Sequence, residues 1–261
     1  MKRLSKAKRV VLKVGTNILM KQDKVSTEVI ASIAEQVSGE MNNGKEMIIV
    51  SSGAVGLGTE KLGMKPEGMS VALQQATASV GQSLLMREYG KAFAKHDKII
   101  AQLLLTSYNF QNKRSLEDLK NVMKELMKKK VVPLINENDP VSSEELDAEG
   151  HFDDNDGLAS LVAKEFDADL LILFTDVGGI YNENPRECTN AKIVGCLEDL
   201  DESKIHFGKK SRYGVGGIKA KVTAVKRATN EGIPVVVCAF EKDSLSNIFN
   251  GGPKGSVFLP R

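Results

Sequence analysis

The sequence predicts an α/β protein, a three-layer αβα sandwich around a mainly parallel central sheet. Three observations carry this. Short apolar runs recur along the chain (VVLKV, EMIIV, VVPLI, DLLILFT, PVVVC) and are continuous rather than alternating, as in strands covered on both faces. Helix-like stretches separate them with no long linker, the alternation of βαβ units. Polar residues follow directly on several of the runs, where an open parallel sheet binds its ligands.

Taken in order, a first strand at residues 10–14 leads to an amphipathic helix from Thr27 to about Asn43, where Asn43-Gly44 is a C-cap signal. A strand at 46–50 follows, then a helix across roughly 70–95 and a strand in IIAQLLLT. The next helix, 115–129, is amphipathic and rich in Lys at its end, which suits the helix dipole. A strand at 131–135 precedes a segment from about 139 to 153 that reads as a hairpin over one end of the sheet. DDNDGLASLVAKEF is a helix capped by Asp153 or Asp154. A buried strand (DLLILFT), a helix at 218–231 and a last strand (PVVVC) complete the series. No internal repeat or low-complexity tract interrupts it.

Composition excludes several classes. Of 261 residues, 36 are basic and 34 acidic, a net charge of +2, which gives no electrostatic case for nucleic acid or an anionic membrane. The basic start, KRLSKAKR, reads as a solvated arm. No apolar run approaches the roughly 20 residues of a transmembrane helix, and no signal-peptide core follows Met1. Cys188, Cys196 and Cys238 are odd in number and lack metal-ligand spacing, so a reduced, cytoplasmic protein is expected. Few aromatics and no Trp leave no base-stacking surface.

The polar sets converge on one rim. Lys13-Val14-Gly15, Ser51-Ser52-Gly53, Asn136-Glu137-Asn138-Asp139 and Thr175-Asp176 each end a strand. Lys13 beside the turn Gly15-Thr16-Asn17 is how backbone N–H groups and an ammonium are brought to a phosphate. Ordinary readings exist beside these: Ser51 or Ser52 capping a following helix, Asp176 in a turn before Val-Gly-Gly, and Asp139, Asp153, Asp154 and Asp156 as a solvated acidic loop. The carboxylates could equally take a hard metal ion, or hold an amino acid's ammonium while orienting lysines. Gly53, Gly56 and Gly58 imitate a dinucleotide fingerprint in the wrong register, and no P-loop sequence is present. His96, His151 and His206 lie outside every glycine-rich set and read as surface or structural.

Together and in order, VVLKVGTNIL, VSSGAVGLG, GQSLL, QLLLT, PLINENDPV, DDNDGLASLVA, LLILFTDVGGIYNENPR and YGVGGIKAK resemble the glutamate 5-kinases of the amino-acid kinase family, over nearly the whole chain. INEND with the later DND is specific to that branch; the Lys-x-Gly-Thr, Thr-Asp and Gly-Gly-x-x-x-Lys elements are shared more widely.

The resemblance implies ATP-dependent phosphorylation of the γ-carboxylate of L-glutamate, at the head of proline biosynthesis. ATP is then the co-substrate and Mg²⁺ is carried mainly on its phosphates. It also implies proline as feedback inhibitor, a homo-oligomer, and a glutamate-5-phosphate reductase as the downstream enzyme. By position, Lys13 and Lys221 match the lysines on the phosphates, and Asp156 the carboxylate that orients them. Ser52, Asp139 and Asn155, with Asn136 and Asp154 nearby, match the glutamate-binding set. Lys13, Gly15, Thr175, Asp176 and Val215, Gly216, Gly217, Ile218, Lys219, Ala220 and Lys221 match the nucleotide site. Val215 stands where a Thr is usual, so one hydroxyl is lost. A single domain, 1–261, is expected, with the amino acid on the part before about 165, the nucleotide on 166–261, and no C-terminal PUA domain. A sister kinase for another acceptor, or a non-catalytic amino-acid sensor, are the alternatives. Retention of Lys13, Lys221 and Asp156 weighs against the sensor.

Overall fold

The computed structural model describes residues 2–22, 24–65, 67–141, 154–183, 185, 187–196 and 217–260. The expected hairpin at 139–153, from 142 onward, and Asp153, His151, His206, Val215 and Gly216 lie outside them. The elements in chain order are α1 (Lys2–Ser5), β1 (Arg9–Val14), α2 (Thr16–Leu19), β2 (Met20–Lys21), β3 (Lys24–Val25), α3 (Thr27–Asn42), β4 (Glu46–Ser51), α4 (Ala54–Leu62) and α5 (Val71–Ala94). There follow β5 (Ile100–Leu105), α6 (Ser107–Gln111), α7 (Lys113–Lys128), β6 (Val132–Glu137), a 3₁₀ turn (Asp139–Val141), α8 (Asn155–Glu165), β7 (Leu170–Thr175), α9 (Ile218–Asn230), β8 (Val235–Ala239), α10 (Ser244–Phe249) and β9 (Gly255–Phe258).

Seven strands form one sheet in the order β5-β6-β4-β1-β7-β8-β9. Every neighbouring pair is parallel except β8–β9, which is antiparallel. The strands are apolar on both faces because both faces are covered. Val10, Leu12 and Val14 of β1 pack with Ile33 of α3 and Leu85 of α5 on one side. Val11 faces the other side, with Leu119 of α7, Val162 of α8 and Val225 of α9. This two-residue period places Lys13 on the α8–α9 face, with Val11.

The predicted helices are found within a residue or two, each with a physical start. Ser26 accepts from Val29 N (3.4 Å), Ser70 from Leu73 N (3.3 Å) and Asn112 from Ser115 N (3.0 Å). At the end of α3, Asn43 is the C-cap and Gly44 adopts φ +88°. Elements the sequence reading passed over are short: α1, the β2–β3 ribbon, α6, α10 and β9; with α1, Leu4 and Ala7 are buried in the core, so the basic start is not merely a solvated arm. Among the described residues no helix is long and apolar enough to cross a membrane.

The helix α4 entered the sequence reading only as what Ser51 or Ser52 would cap, and it corrects two readings. Its N-cap is Gly53, at φ +109° and with no side-chain cap, so neither Ser51 nor Ser52 caps it. Gly58 is a packing glycine rather than part of a nucleotide fingerprint: a Cβ there would lie 2.0 Å from the Thr77 carbonyl oxygen of α5. The contact is reciprocal, since a Cβ on Gly81 of α5 would lie 1.7 Å from the Ala54 oxygen. The backbones of α4 and α5 therefore touch, directly behind the Ser51–Gly53 turn. Gly81→Ala should destabilise the fold by about 3 kcal/mol or more, because the clash is with backbone. Gly90→Ala, on the same helix but 3.9 Å from a flexible Ile100 methyl, should be neutral or stabilising by about 0.5–1 kcal/mol. Urea unfolding of the two variants checks the contrast, and equal midpoints would disprove the close-packing account.

Candidate active site

Three elements from distant parts of the chain meet at the carboxyl ends of β1 and β4. The N-cap of α8 is Asp154, whose Oδ1 accepts from Asp156 N (3.0 Å) and Gly157 N (2.9 Å). Asp154 is thus both the expected cap and a member of the site. The two residues after it point in different directions, as successive residues on a helix must.

Asp156 turns to the phosphate side. Its Oδ1 lies 2.7 Å from Lys13 Nζ and its Oδ2 2.8 Å from Lys221 Nζ, with the carboxylate fully buried. Burial alone would raise the Asp156 pKa; the two ammoniums outweigh it and hold the carboxyl at about 2. For Lys221 burial works against the charge, and Asp156, backed by Asp154 and Asp176, raises the pKa, so the ammonium persists. Asp154 is pushed up, by burial first and then by the Asp156 charge.

Gly15 follows β1 directly, and a Cβ on it would meet Lys13 Nζ at 3.4 Å, so the glycine keeps the approach to that ammonium open. Asn17 Nδ2 reaches Asp176 Oδ2 at 3.5 Å, and Thr175 ends β7 beside it. Gly217 is the N-cap of α9, so Ile218, Lys219, Ala220 and Lys221 form that helix's first turn at the positive end of the dipole; the Lys221 N–H closes the turn on the Gly217 carbonyl (3.4 Å), and those of Ile218, Lys219 and Ala220 have no helical acceptor.

Asn155 turns to the other side. Its Nδ2 donates to Ser52 Oγ (2.7 Å) and to Asn136 Oδ1 (3.0 Å). Asn136 lies within β6, which runs to Glu137, two residues past its expected end at 135, and donates to Gln82 Oε1 on α5 (2.9 Å). Ser51, beside Ser52, is bonded to the buried Tyr89 hydroxyl at 3.1 Å, which fixes the strand end. Asp139 opens the 3₁₀ turn after β6; burial and then the Glu137 carboxylate push its carboxyl up to about 6. Sequence reasoning noted GQSLL but assigned no role to Gln82 or Tyr89. Their partners are 54 and 38 residues away, and no local pattern marks them.

The Asp139 shift has a direct consequence. In the unfolded chain its proton leaves near pH 4; in the fold it leaves near pH 6. The folded state therefore binds the proton more tightly, and stability falls as pH rises from about 4 to 6. Asp139→Asn should gain melting temperature over the wild type progressively across that window and hold a constant gain above about pH 7. A difference that does not change with pH would show that the carboxyl is not held in this way.

Comparison with known proteins identifies the family. The profile described as the amino acid kinase family matches residues 8–239. Glutamate 5-kinase of Ligilactobacillus salivarius is 38% identical over 259 residues, covering 98% of this chain and 97% of that one. That of Lactiplantibacillus plantarum is 37% identical, with 97% of both chains covered. Among solved structures, carbamate kinase from Giardia lamblia bound to AMP-PNP superposes with a TM-score of 0.67 at 14% identity, over 98% of this chain and 99% of that one, a likeness of fold. From these matches and the site, the chain belongs to the amino-acid kinase family, in its glutamate 5-kinase branch.

Proposed function

We propose that the chain transfers the γ-phosphoryl group of ATP to the γ-carboxylate of L-glutamate, giving γ-glutamyl phosphate and ADP, the first step of proline biosynthesis. One observation carries the reading: consecutive residues at the start of α8 serve two clusters, Asp156 the paired lysines and Asn155 the amide-and-hydroxyl set. The identity to named glutamate 5-kinases over nearly full length supports it.

The chemistry suits such a site. A γ-carboxylate is ionised at neutral pH, with an ordinary pKa of about 4.3, so no general base is needed. A carboxylate oxygen forms the new bond to phosphorus, the bond from phosphorus to the β–γ bridging oxygen breaks, and its electron pair leaves with ADP. The barrier is the approach of two anions. Lys13 and Lys221 supply positive charge, and the Gly15 turn and the α9 N-terminus supply N–H donors. Asp156 holds the two ammoniums at fixed positions and leaves the trio one net positive charge. Mg²⁺ enters as the ATP complex. Ser52, Asn136, Asp139 and Asn155 take the amino acid, with Asp154 fixing the start of α8. Thr175, Asp176 and the stretch 215–221 take the nucleotide. The acceptor groups then lie on the β4–β6 side of β1 and the nucleotide groups on the β7–β8 side. An oligomeric, proline-inhibited enzyme in the cytoplasm, handing its labile product to a reductase, is the fuller form of this proposal.

Trapping the product with hydroxylamine tests the reaction: hydroxamate should form with glutamate, ATP and Mg²⁺, and not with aspartate or N-acetylglutamate. Product from another acceptor alone would overturn the assignment. Lys13→Ala and Lys221→Ala should each lower kcat by roughly 10²-fold or more, since loss of one charge stabiliser costs about 2.7–4 kcal/mol of barrier. Asn155→Ala should instead act on the glutamate KM, with the ATP KM nearly unchanged. Steady-state rates over both substrates separate the two behaviours, and near-normal turnover in a lysine variant would remove that lysine from the mechanism.

A further inference from the structure

We infer that Gln82, on α5, is a positioning residue for the acceptor site: its oxygen is the terminal acceptor of a relay of three carboxamides whose polarity decides which atom Asn155 presents. The inference rests on the glutamate-kinase reading above. Gln82 Oε1 accepts from Asn136 Nδ2 at 2.9 Å, Asn136 Oδ1 accepts from Asn155 Nδ2 at 3.0 Å, and Asn155 Nδ2 also donates to Ser52 Oγ at 2.7 Å. Gln82 and Asn136 are buried, at 8% and 2% exposure.

A carboxamide offers an acceptor oxygen at one end and a donor nitrogen at the other. Turning one member of such a chain over therefore turns all three. In the observed polarity the two ends of the relay are open: Asn155 Oδ1 and Gln82 Nε2 are buried atoms with no hydrogen-bond partner among the described residues. Buried polar atoms are rarely left so, and an open atom beside Ser52 awaits a ligand. An acceptor oxygen at Asn155 suits the ammonium of an amino acid. The reverse polarity would present an NH₂ group, which repels it. Gln82 ends the relay with an acceptor, and in that polarity the Asn155 oxygen is the atom left to the site. Gly81, its neighbour, seats α5 against the Ala54 carbonyl and fixes the distance over which Gln82 must reach.

Glutamate and ATP kinetics of Q82M and Q82E test this. Q82M keeps the shape and removes the acceptor. Its glutamate KM should rise about tenfold or more, the scale expected when a buried donor loses its partner, with kcat and the ATP KM within about threefold of wild type. Q82E, whose side chain still accepts in either protonation state, should restore the glutamate KM to within about threefold. In an Asn155→Ala background Q82M should add little, because the relay then has no end to orient. An unchanged glutamate KM in Q82M, an equal rise in the ATP KM, or additivity with Asn155→Ala would overturn the proposal. A tenfold rise in folded Q82E would overturn it independently, whether or not Q82M folds. Wild-type enzyme that forms no hydroxamate from glutamate would overturn the kinase reading itself, whereas an active wild type with a normal Q82M enzyme sinks the relay alone.

Discussion

The buried carboxylate of Asp156 between Lys13 and Lys221 is the constraint on which the site depends. It ties β1, α8 and α9 together on one face of the sheet, with contacts of 2.7 and 2.8 Å. It also fixes the parity of β1: Lys13 reaches Asp156 only if Val10, Leu12 and Val14 face α3 and α5. Slipping the strand by one residue would bury the lysine among Ile33 and Leu85. Removing the carboxylate would leave two ammoniums facing each other in a dry site, and breaking a buried pair costs about 3–5 kcal/mol. The cluster is therefore a fold determinant as well as a charge source.

The sequence Asp154-Asn155-Asp156 shows how little chain is needed to couple the two halves. The first residue caps the helix, the second links to Ser52 and Asn136, and the third links to the lysines. Because all three sit on the first turn of α8, the acceptor set and the phosphate set have a fixed separation. A helix end is well suited to this, since its residues radiate while its backbone is held by the ladder behind it. In-line transfer requires that kind of fixed spacing, and effective molarities fall steeply when reacting groups are displaced.

Much of this was legible beforehand. The long strands announce themselves as continuous apolar runs because both faces are covered, and Lys13 stands out as the one charge in the interior of such a run. The C-cap at Asn43-Gly44 and the N-cap at Asp154 are chemically marked. What escaped was either too short for periodicity, such as the two-residue strands β2 and β3, or defined by distant partners. The glycines of AVGLG are the instructive case. A glycine that admits a phosphate and a glycine that admits a neighbouring helix are identical in sequence, and only the Thr77 carbonyl 2.0 Å from the Gly58 Cβ position tells them apart. Gln82 is similar: a glutamine in mid-helix has no local signature, and its meaning comes from Asn136 on another strand.

The two halves of the site also differ in kind, and this bears on what each can do. The half proposed for phosphate is built on charge at fixed points, which acts over several ångströms and tolerates small displacements. The acceptor half works through carboxamides and hydroxyls at 2.7–3.0 Å, which have directions as well as distances. Discrimination between similar amino acids needs direction, because a buried hydrogen-bonding group rejects a ligand that fails to satisfy it far more strongly than an apolar pocket rejects a poor fit. Rate enhancement for phosphoryl transfer between anions needs charge. The close helix contact at Gly58 and Gly81 stands behind the directional half, where rigidity matters most, while the ion-paired half is secured by its own electrostatics. Under the proposed function, the lysines supply the charge and the polar groups around Asn155 select the acceptor.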